Sequence, residues 1–228
     1  MRLTYLAHSC VQIEAAGHTL LIDPYLTGNP LAPVKAADVH PDFILITHGH
    51  DDHVGDAGDI ARRTRARIIA NYEIACYFAE QGLETHGMYH GGGFNFPFGR
   101  AKMVLAHHGS GFPGPDRRLI YMGSPAGFVL TLEGRNIYHA GDTCVFLEME
   151  MIGRMHPIDV AFLPIGDNFT MGIDEAIEAI RLLRPKKVVP IHFNTWDLIR
   201  VDAEEFAAKA RAAGTEPVVL KPGGTLEV

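Results

Sequence analysis

The most informative stretch of the sequence is Thr47-His48-Gly49-His50-Asp51-Asp52-His53, because it places four potential metal ligands directly after an apolar strand. Residues 42–47 (Asp-Phe-Ile-Leu-Ile-Thr) form a continuous apolar run, which is typical of a strand buried on both faces. His48 and His50 lie two positions apart, so they project to the same side of an extended segment. A single tetrahedral ion would hold all four ligands only under strain. The stretch therefore predicts two adjacent ions at the end of a buried strand.

The elements predicted around this stretch indicate a mixed α/β fold. Apolar and turn patterns predict strands at 3–7, 11–14, 19–22, 42–47, 67–70, 102–106, 127–132, 136–139, 160–164, 187–191 and 217–220, and helices at 55–64, 73–81, 173–183 and 203–213. Two sheets packed face to face, with helices outside, would absorb this number of elements. We expect a single domain that spans residues 1–228.

Composition excludes several classes of protein. A chain of 228 residues with 47% hydrophobic residues is not disordered, and no apolar run approaches the roughly 18 residues of a membrane helix. The net charge of −7 opposes nucleic-acid binding, which needs a basic footprint. The three cysteines form no Cys-x-x-Cys pair and the first residues lack a secretory pattern, so free thiols and a cytoplasmic location are expected.

The motif His48-Gly49-His50-Asp51-Asp52-His53 resembles the signature of the metallo-β-lactamase superfamily. The resemblance implies a four-layer αβ/βα sandwich with a metal site at one edge, between the two sheets. It also implies three further ligands downstream, each at the end of a strand. The candidates are His108, with His107 as the alternative, in residues 104–110 (Val-Leu-Ala-His-His-Gly-Ser), Asp142 in Gly141-Asp142-Thr143, and His192 after residues 188–191.

By this resemblance, the seven positions divide between two divalent metal ions. One ion would be held by His48, His50 and His108, and the other by Asp52, His53 and His192, with Asp142 between them. Zinc is the expected metal, and manganese, nickel or iron suit the same ligands. The ions would share a water whose pKa is low enough to give hydroxide near neutral pH. Asp142 or Asp52 would accept the proton.

Asp23 ends the strand at 19–22 and matches the first motif aspartate of the superfamily, which lies outside the ligand set. Its expected role is to hold the loop from His48 to His53 or to orient a ligand imidazole. Plain turn chemistry before Pro24 is the alternative.

Two further segments resemble a compact subgroup of uncharacterised metal-dependent hydrolases that is similar to the ascorbate-phosphate lactonases. They are Leu6-Ala7-His8-Ser9 and residues 164–172 (Pro-Ile-Gly-Asp-Asn-Phe-Thr-Met-Gly). They make His8, Asn168 and Thr170 candidates for substrate contact, with Asn168 or Thr170 as donors to a developing oxyanion. A purely structural role for these residues is the alternative.

The sequence thus predicts a dinuclear metal-dependent hydrolase of a small ester, lactone or phosphorylated metabolite. A nuclease or phosphodiesterase of the same superfamily is the first alternative, and the net charge opposes it. An iron-dependent oxidoreductase is the second, although its diiron relatives usually carry Glu where this chain has His50. A metal-binding protein without turnover is the third. Similar proteins are often multimeric, which leaves a homo-oligomer open.

Overall fold

The computed structural model of the chain describes residues 1–114, 116 and 118–228. Its strands are β1 Arg2–Tyr5, β2 Val11–Ala15, β3 His18–Ile22, β4 Phe43–Leu45, β5 Arg67–Asn71, β6 Thr85–Met88, β7 Gly93–Phe96, β8 Gly99–Leu105, β9 Gly111–Pro113, β10 Leu119–Tyr121, β11 Ala126–Leu132, β12 Arg135–His139, β13 Val160–Pro164, β14 Lys187–Ile191, β15 Glu216–Pro217 and β16 Thr225–Glu227. Its helices are α1 Asp51–Val54, α2 Ala57–Thr64, α3 Tyr72–Ala79, α4 Met149–Met155, α5 Ile173–Leu183 and α6 Ala203–Ala212, with 3-10 turns at Ala36–Asp38 and Asp197–Ile199.

The strands form two seven-stranded mixed sheets and a separate hairpin of β9 and β10. The first sheet has the order β16-β1-β2-β3-β4-β5-β6, and the second has the order β15-β14-β13-β12-β11-β8-β7. Strands β3 to β6 run parallel to one another, as do β12 to β15. Each parallel group is joined by helical crossovers, which place helices against a sheet face.

Three apolar clusters give the molecule four layers. The cluster between the sheets joins residues of both, among them Ile13 and Leu45 with Phe128 and Phe162. A second cluster packs α4, α5 and α6 on the outer face of the second sheet, and a third packs α1, α2 and α3 on the outer face of the first. The predicted sandwich of two sheets with helices outside is therefore confirmed. Among the described residues, no helix is long and apolar enough to cross a membrane.

The predicted elements match best where an apolar run is bounded by Gly, Pro or charged residues. Strands at 160–164 and 187–191 and the helix at 173–183 have the predicted bounds. The predicted helix at 55–64 was wrong at its start, because Gly55 adopts a φ of 41° and separates α1 from α2. The predicted strand at 217–220 was wrong beyond Pro217, which ends β15, and residues beyond the Gly-Gly turn return as β16 to pair with β1.

The parallel strands bring distant sequence positions to one end of the sandwich. Asp23 follows β3 and His48 follows β4 by three residues, while Asp142 and His192 follow β12 and β14. Because parallel neighbours end at the same sheet edge, their following loops converge there. The antiparallel strand β8 delivers His107 and His108 to the same end.

Candidate metal centre

The structure gathers the seven predicted ligands into one buried cluster. Three groups of ligand atoms each lie within 4.8 Å of one another, and they are His48, His50 and His108; His48, His53 and Asp142; and His8, Asp52, His53 and His192. His48 Nε2 lies 3.1 Å from His50 Nδ1. Neutral imidazole and carboxylate groups are the ligands that zinc and similar ions take in proteins. The arrangement offers two sets of ligands that meet at one aspartate.

Asp142 lies at the centre of the cluster. Its Oδ2 is 3.0 Å from His192 Nε2 and 3.5 Å from His108 Nε2, and its Oδ1 is 3.3 Å from His53 Nε2. The carboxylate therefore faces His108 of the group with His48 and His50, and His53 and His192 of the group with Asp52, which is the placement that a bridging ligand needs. Gly141 makes the close approach possible, because it has a φ of 62° and an added Cβ would come within 2.8 Å of Thr47 Cβ.

The neighbouring histidines His107 and His108 separate clearly in the structure. His108 is 15% exposed and joins the cluster. His107 is exposed, and its ring packs edge-on against Phe146 with 4.9 Å between the centroids. Consecutive residues of an extended segment point in opposite directions, so only one of the pair reaches the cluster.

Asp23 lies behind the cluster, fully buried, and accepts three hydrogen bonds. Its Oδ1 accepts from the Thr47 amide at 2.8 Å, and its Oδ2 accepts from the Thr47 hydroxyl at 2.7 Å and from His53 Nδ1 at 2.8 Å. The bond to Nδ1 leaves Nε2 of His53 facing the cluster. A carboxylate in this position orients a ligand imidazole.

Three buried polar atoms of the clustered residues have no hydrogen-bond partner, namely His53 Nε2, Asp142 Oδ1 and His192 Nδ1. The first two lie 3.3 Å apart inside the cluster, and they support a cation there. Leaving such atoms unpaired costs roughly 1–3 kcal/mol each, more for charged groups. A divalent cation would pair with both, so the residues present fit a metal.

The electrostatics of the cluster without metal also favour a cation at this position. Burial lowers the pKa of His53, but the carboxylates of Asp142, Asp52 and Asp23 outweigh it and raise that pKa well above its ordinary value. Burial likewise opposes the charge of His192, yet Asp142 raises its pKa to about 9. The carboxylates thus attract positive charge to these two rings.

His8 does not offer the substrate contact predicted for it. The side chain has no exposed surface, and both ring nitrogens are engaged. Nε2 lies 3.0 Å from Asp52 Oδ2, to which it donates because a carboxylate only accepts, and Nδ1 then accepts from the Thr195 hydroxyl at 2.8 Å. Burial lowers the pKa of His8 to about 4, which is consistent with this neutral tautomer. His8 therefore holds Asp52 in place.

A cavity of about 410 Å³ opens onto the cluster. Its lining residues are Tyr25, His50, Asp51, Asp52, His108, Asp142, Phe169, His192 and Trp196. Neither Asn168 nor Thr170 is among these residues, and the loop contributes Phe169 instead. A larger depression of about 630 Å³ beside α2 contains none of the clustered ligands, so the chemistry belongs to the smaller cavity.

The sequence does not reveal the aromatic lining of the cavity or the hydrogen-bond partner of His8. Tyr25, Phe169 and Trp196 each stand in a loop without periodic pattern, so only their position in space reveals a shared role. Thr195 lies three residues after the candidate ligand His192, and only this closeness in sequence indicates that Thr195 lies near the cluster. Gly49 was quoted only as part of the motif, yet an added Cβ there would overlap the side chain of Met122.

Comparison with known proteins agrees with the fold and the cluster. Residues 2–192 match the family model described as the β-lactamase superfamily domain. The chain is 48% identical to a UPF0173 metal-dependent hydrolase of Anoxybacillus flavithermus and 49% identical to one of Opitutus terrae, over 100% of both chains in each case. The structure of a metallo hydrolase from the archaeon Ignicoccus hospitalis is similar, with a TM-score of 0.89 and 37% identity over 100% of this chain and 98% of that one.

Proposed function

The chain belongs to the β-lactamase superfamily, among its UPF0173 metal-dependent hydrolases, and from that premise we propose that it hydrolyses a small ester, lactone or phosphorylated metabolite at a dinuclear metal site. The observation that carries the proposal is the central position of Asp142, within 3.5 Å of histidines from both ligand groups. A mononuclear site would leave one of the two groups without an ion.

Each residue of the cluster has a proposed task. His48, His50 and His108 would hold one ion, Asp52, His53 and His192 would hold the other, and Asp142 would bridge them. Zinc is the proposed metal, with manganese, nickel or iron as alternatives. Bound ions of this kind lower the pKa of a coordinated water towards 7 and polarise a substrate carbonyl.

The chain's own groups orient these ligands and handle the proton. Asp23 and His8 fix His53 and Asp52 by the hydrogen bonds described above. Asp52 is about one-fifth exposed at the cavity while Asp142 is almost fully buried. Asp52 is therefore the carboxylate better placed to exchange a proton with solvent.

The experiment that tests the proposal compares wild type with Asp142→Asn. Both proteins are stripped of metal, reloaded in turn with zinc, manganese, nickel or iron, and assayed against a panel of esters, lactones and phosphate esters. We expect metal-dependent hydrolysis by wild type, a loss of at least about 100-fold in the variant, and unchanged rates in the exposed-carboxylate control Asp59→Asn. Absence of metal-dependent turnover across the panel would remove the basis of the proposal.

Nuclease activity is tested separately by nucleic-acid binding. A nuclease would bind through phosphate contacts that weaken steeply with salt. We expect no salt-sensitive shift of single- or double-stranded DNA or RNA in a gel titration.

A further inference from the structure

Three aromatic side chains form the apolar part of the cavity above the candidate metal centre. Tyr25 and Trp196 have ring centroids 6.4 Å apart and an interplanar angle of 65°. Phe169, on the loop after β13, is 47% exposed at the same cavity. The rings of Tyr25 and Trp196 thus form a corner, in which a flat group can stack on one ring and meet the other edge-on.

Packing beneath these two rings holds the corner in place. The buried ring of His8 lies 4.9 Å from Trp196 and 5.6 Å from Tyr25, centroid to centroid. His8 is itself fixed by Asp52 and Thr195. The Tyr25 hydroxyl donates to the Gly28 carbonyl at 3.1 Å, which ties the side chain to its own loop. Such preorganised aromatic surface favours ligand binding, because little side-chain freedom is lost.

Apart from the histidines, the charged side chains that line the cavity are negative. No Lys or Arg is present among its described lining residues, whereas Asp51, Asp52 and Asp142 all contribute carboxylates. These carboxylates offset much of the charge that two divalent ions would bring. A phosphate group carries about two negative charges, and apart from the ions it would meet no Arg or Lys among the described lining residues. The lining therefore favours an uncharged substrate.

We propose that the substrate is an uncharged ester or lactone that carries a flat apolar group, bound in the corner of Trp196 and Tyr25. This inference rests on the hydrolase function proposed above and narrows it by excluding phosphorylated metabolites. In the reaction, a water oxygen bonds to the carbonyl carbon and the water gives up a proton, the bond from that carbon to the leaving oxygen breaks, and the leaving oxygen takes up the proton that the water lost. The flat group sits beside the reacting carbonyl, where the cavity is lined by aromatic rings.

Binding can be measured without turnover, because Trp196 is the only tryptophan of the chain. Its fluorescence is followed while benzamide, acetamide or phenyl phosphate is added to the metal-loaded protein and to the metal-free protein. We expect a saturable change with benzamide in both forms and none with acetamide. Tyr25→Leu should weaken benzamide binding by about 3- to 10-fold. The control Tyr89→Leu removes an exposed ring that does not line the cavity, and it should leave binding unchanged.

Turnover gives the second measurement. The loaded protein is assayed with benzyl acetate, cyclohexylmethyl acetate, ethyl acetate and benzyl phosphate, whose leaving groups are all simple alcohols. We expect benzyl acetate to have the highest kcat/KM and benzyl phosphate the lowest. Trp196→Leu should reduce the ratio of kcat/KM for benzyl over ethyl acetate by about 3- to 10-fold, and Tyr89→Leu should leave that ratio at the wild-type value.

The outcomes separate this inference from the proposed function. Hydrolysis of ethyl and benzyl acetate at equal kcat/KM would overturn the inference while leaving the hydrolase intact, as would preferred turnover of benzyl phosphate. A fluorescence response that is absent with benzamide, or that Tyr25→Leu does not weaken, would also overturn it. Saturable benzamide binding without hydrolysis of any ester would instead support the aromatic corner and count against the proposed hydrolase.

Discussion

Replacing Asp23 by Asn changes one oxygen of a fully buried side chain into a nitrogen and leaves its volume unchanged. In the wild-type protein Oδ2 accepts from the Thr47 hydroxyl at 2.7 Å and from His53 Nδ1 at 2.8 Å. An amide nitrogen at that position can only donate, so it faces two donors. Oδ1 can still accept from the Thr47 amide, which keeps the local backbone in place.

The expected cost follows from the two lost bonds. Hydrogen bonds to a charged group contribute about 1.5–3 kcal/mol each, so the metal-free variant should be less stable by roughly 3–6 kcal/mol. Partial rearrangement of the Thr47 hydroxyl would bring the value towards the lower limit. Because His53 also loses the group that orients its ring, metal affinity should fall by about 10- to 100-fold.

Two assays test this prediction. Urea unfolding of metal-free protein measures the stability change, and competition with a chromophoric chelator measures metal affinity in the folded protein. The control is Asp42→Asn, since Asp42 is a 53% exposed aspartate that accepts from the backbone amide of Thr19 at 2.8 Å. A folded Asp23→Asn protein with wild-type metal affinity would contradict the proposed role of Asp23 in orienting His53. An equal loss of metal affinity in the control variant would contradict it as well.

Three further predictions concern other residues of the structure. His8→Phe keeps a buried ring but removes the hydrogen bond to Asp52. In a stepwise metal titration, the affinity of one of the two binding steps should fall by about 10-fold. Equal weakening of both steps would contradict this role of His8. Burial raises the pKa of Asp159, but hydrogen bonds, the largest of them from Lys186, outweigh burial and lower that pKa. The ionised Asp159 therefore stabilises the fold at pH values above its unfolded-state pKa. This stabilisation is lost as the pH falls through its folded-state pKa. The difference in unfolding free energy between wild type and Asp159→Asn should therefore shrink in acid, and a constant difference would exclude the ion pair as its cause. Gly49→Ala overpacks against the methionine beside it and should cost about 1–3 kcal/mol of unfolding free energy.

Much of the fold could be predicted because its central strands are apolar runs with clear ends. The strand at 160–164 and the helix at 173–183 were predicted at their observed bounds, since Pro185 and the acidic first turn of the helix mark its limits. Strands β6, β7, β9, β10 and β16 and helices α1 and α4 were not predicted. The three glycines at 91–93 have a weak intrinsic preference for strands, yet Gly93 opens β7, where pairing with β8 outweighs that preference.

The ligand cluster was more predictable than the residues around it. The candidate ligands follow apolar strands, and the resemblance to the superfamily implied which of these His and Asp residues to select. The surroundings of His8 are not, because burial and the hydrogen bonds to Asp52 and Thr195 join residues 44 and 187 positions apart. The same holds for Trp196 and Tyr25, whose pairing depends on the convergence of two loops.

Metal stoichiometry tests the central claim, a dinuclear site, most directly. Wild type, His50→Ala and His192→Ala are loaded with zinc, dialysed, and analysed for zinc per chain by elemental analysis, with circular dichroism to verify folding. We expect about two zinc ions per wild-type chain and about one in each variant, because each change removes a ligand from only one group. A wild-type chain that retains a single ion, or variants that both retain two, would contradict it.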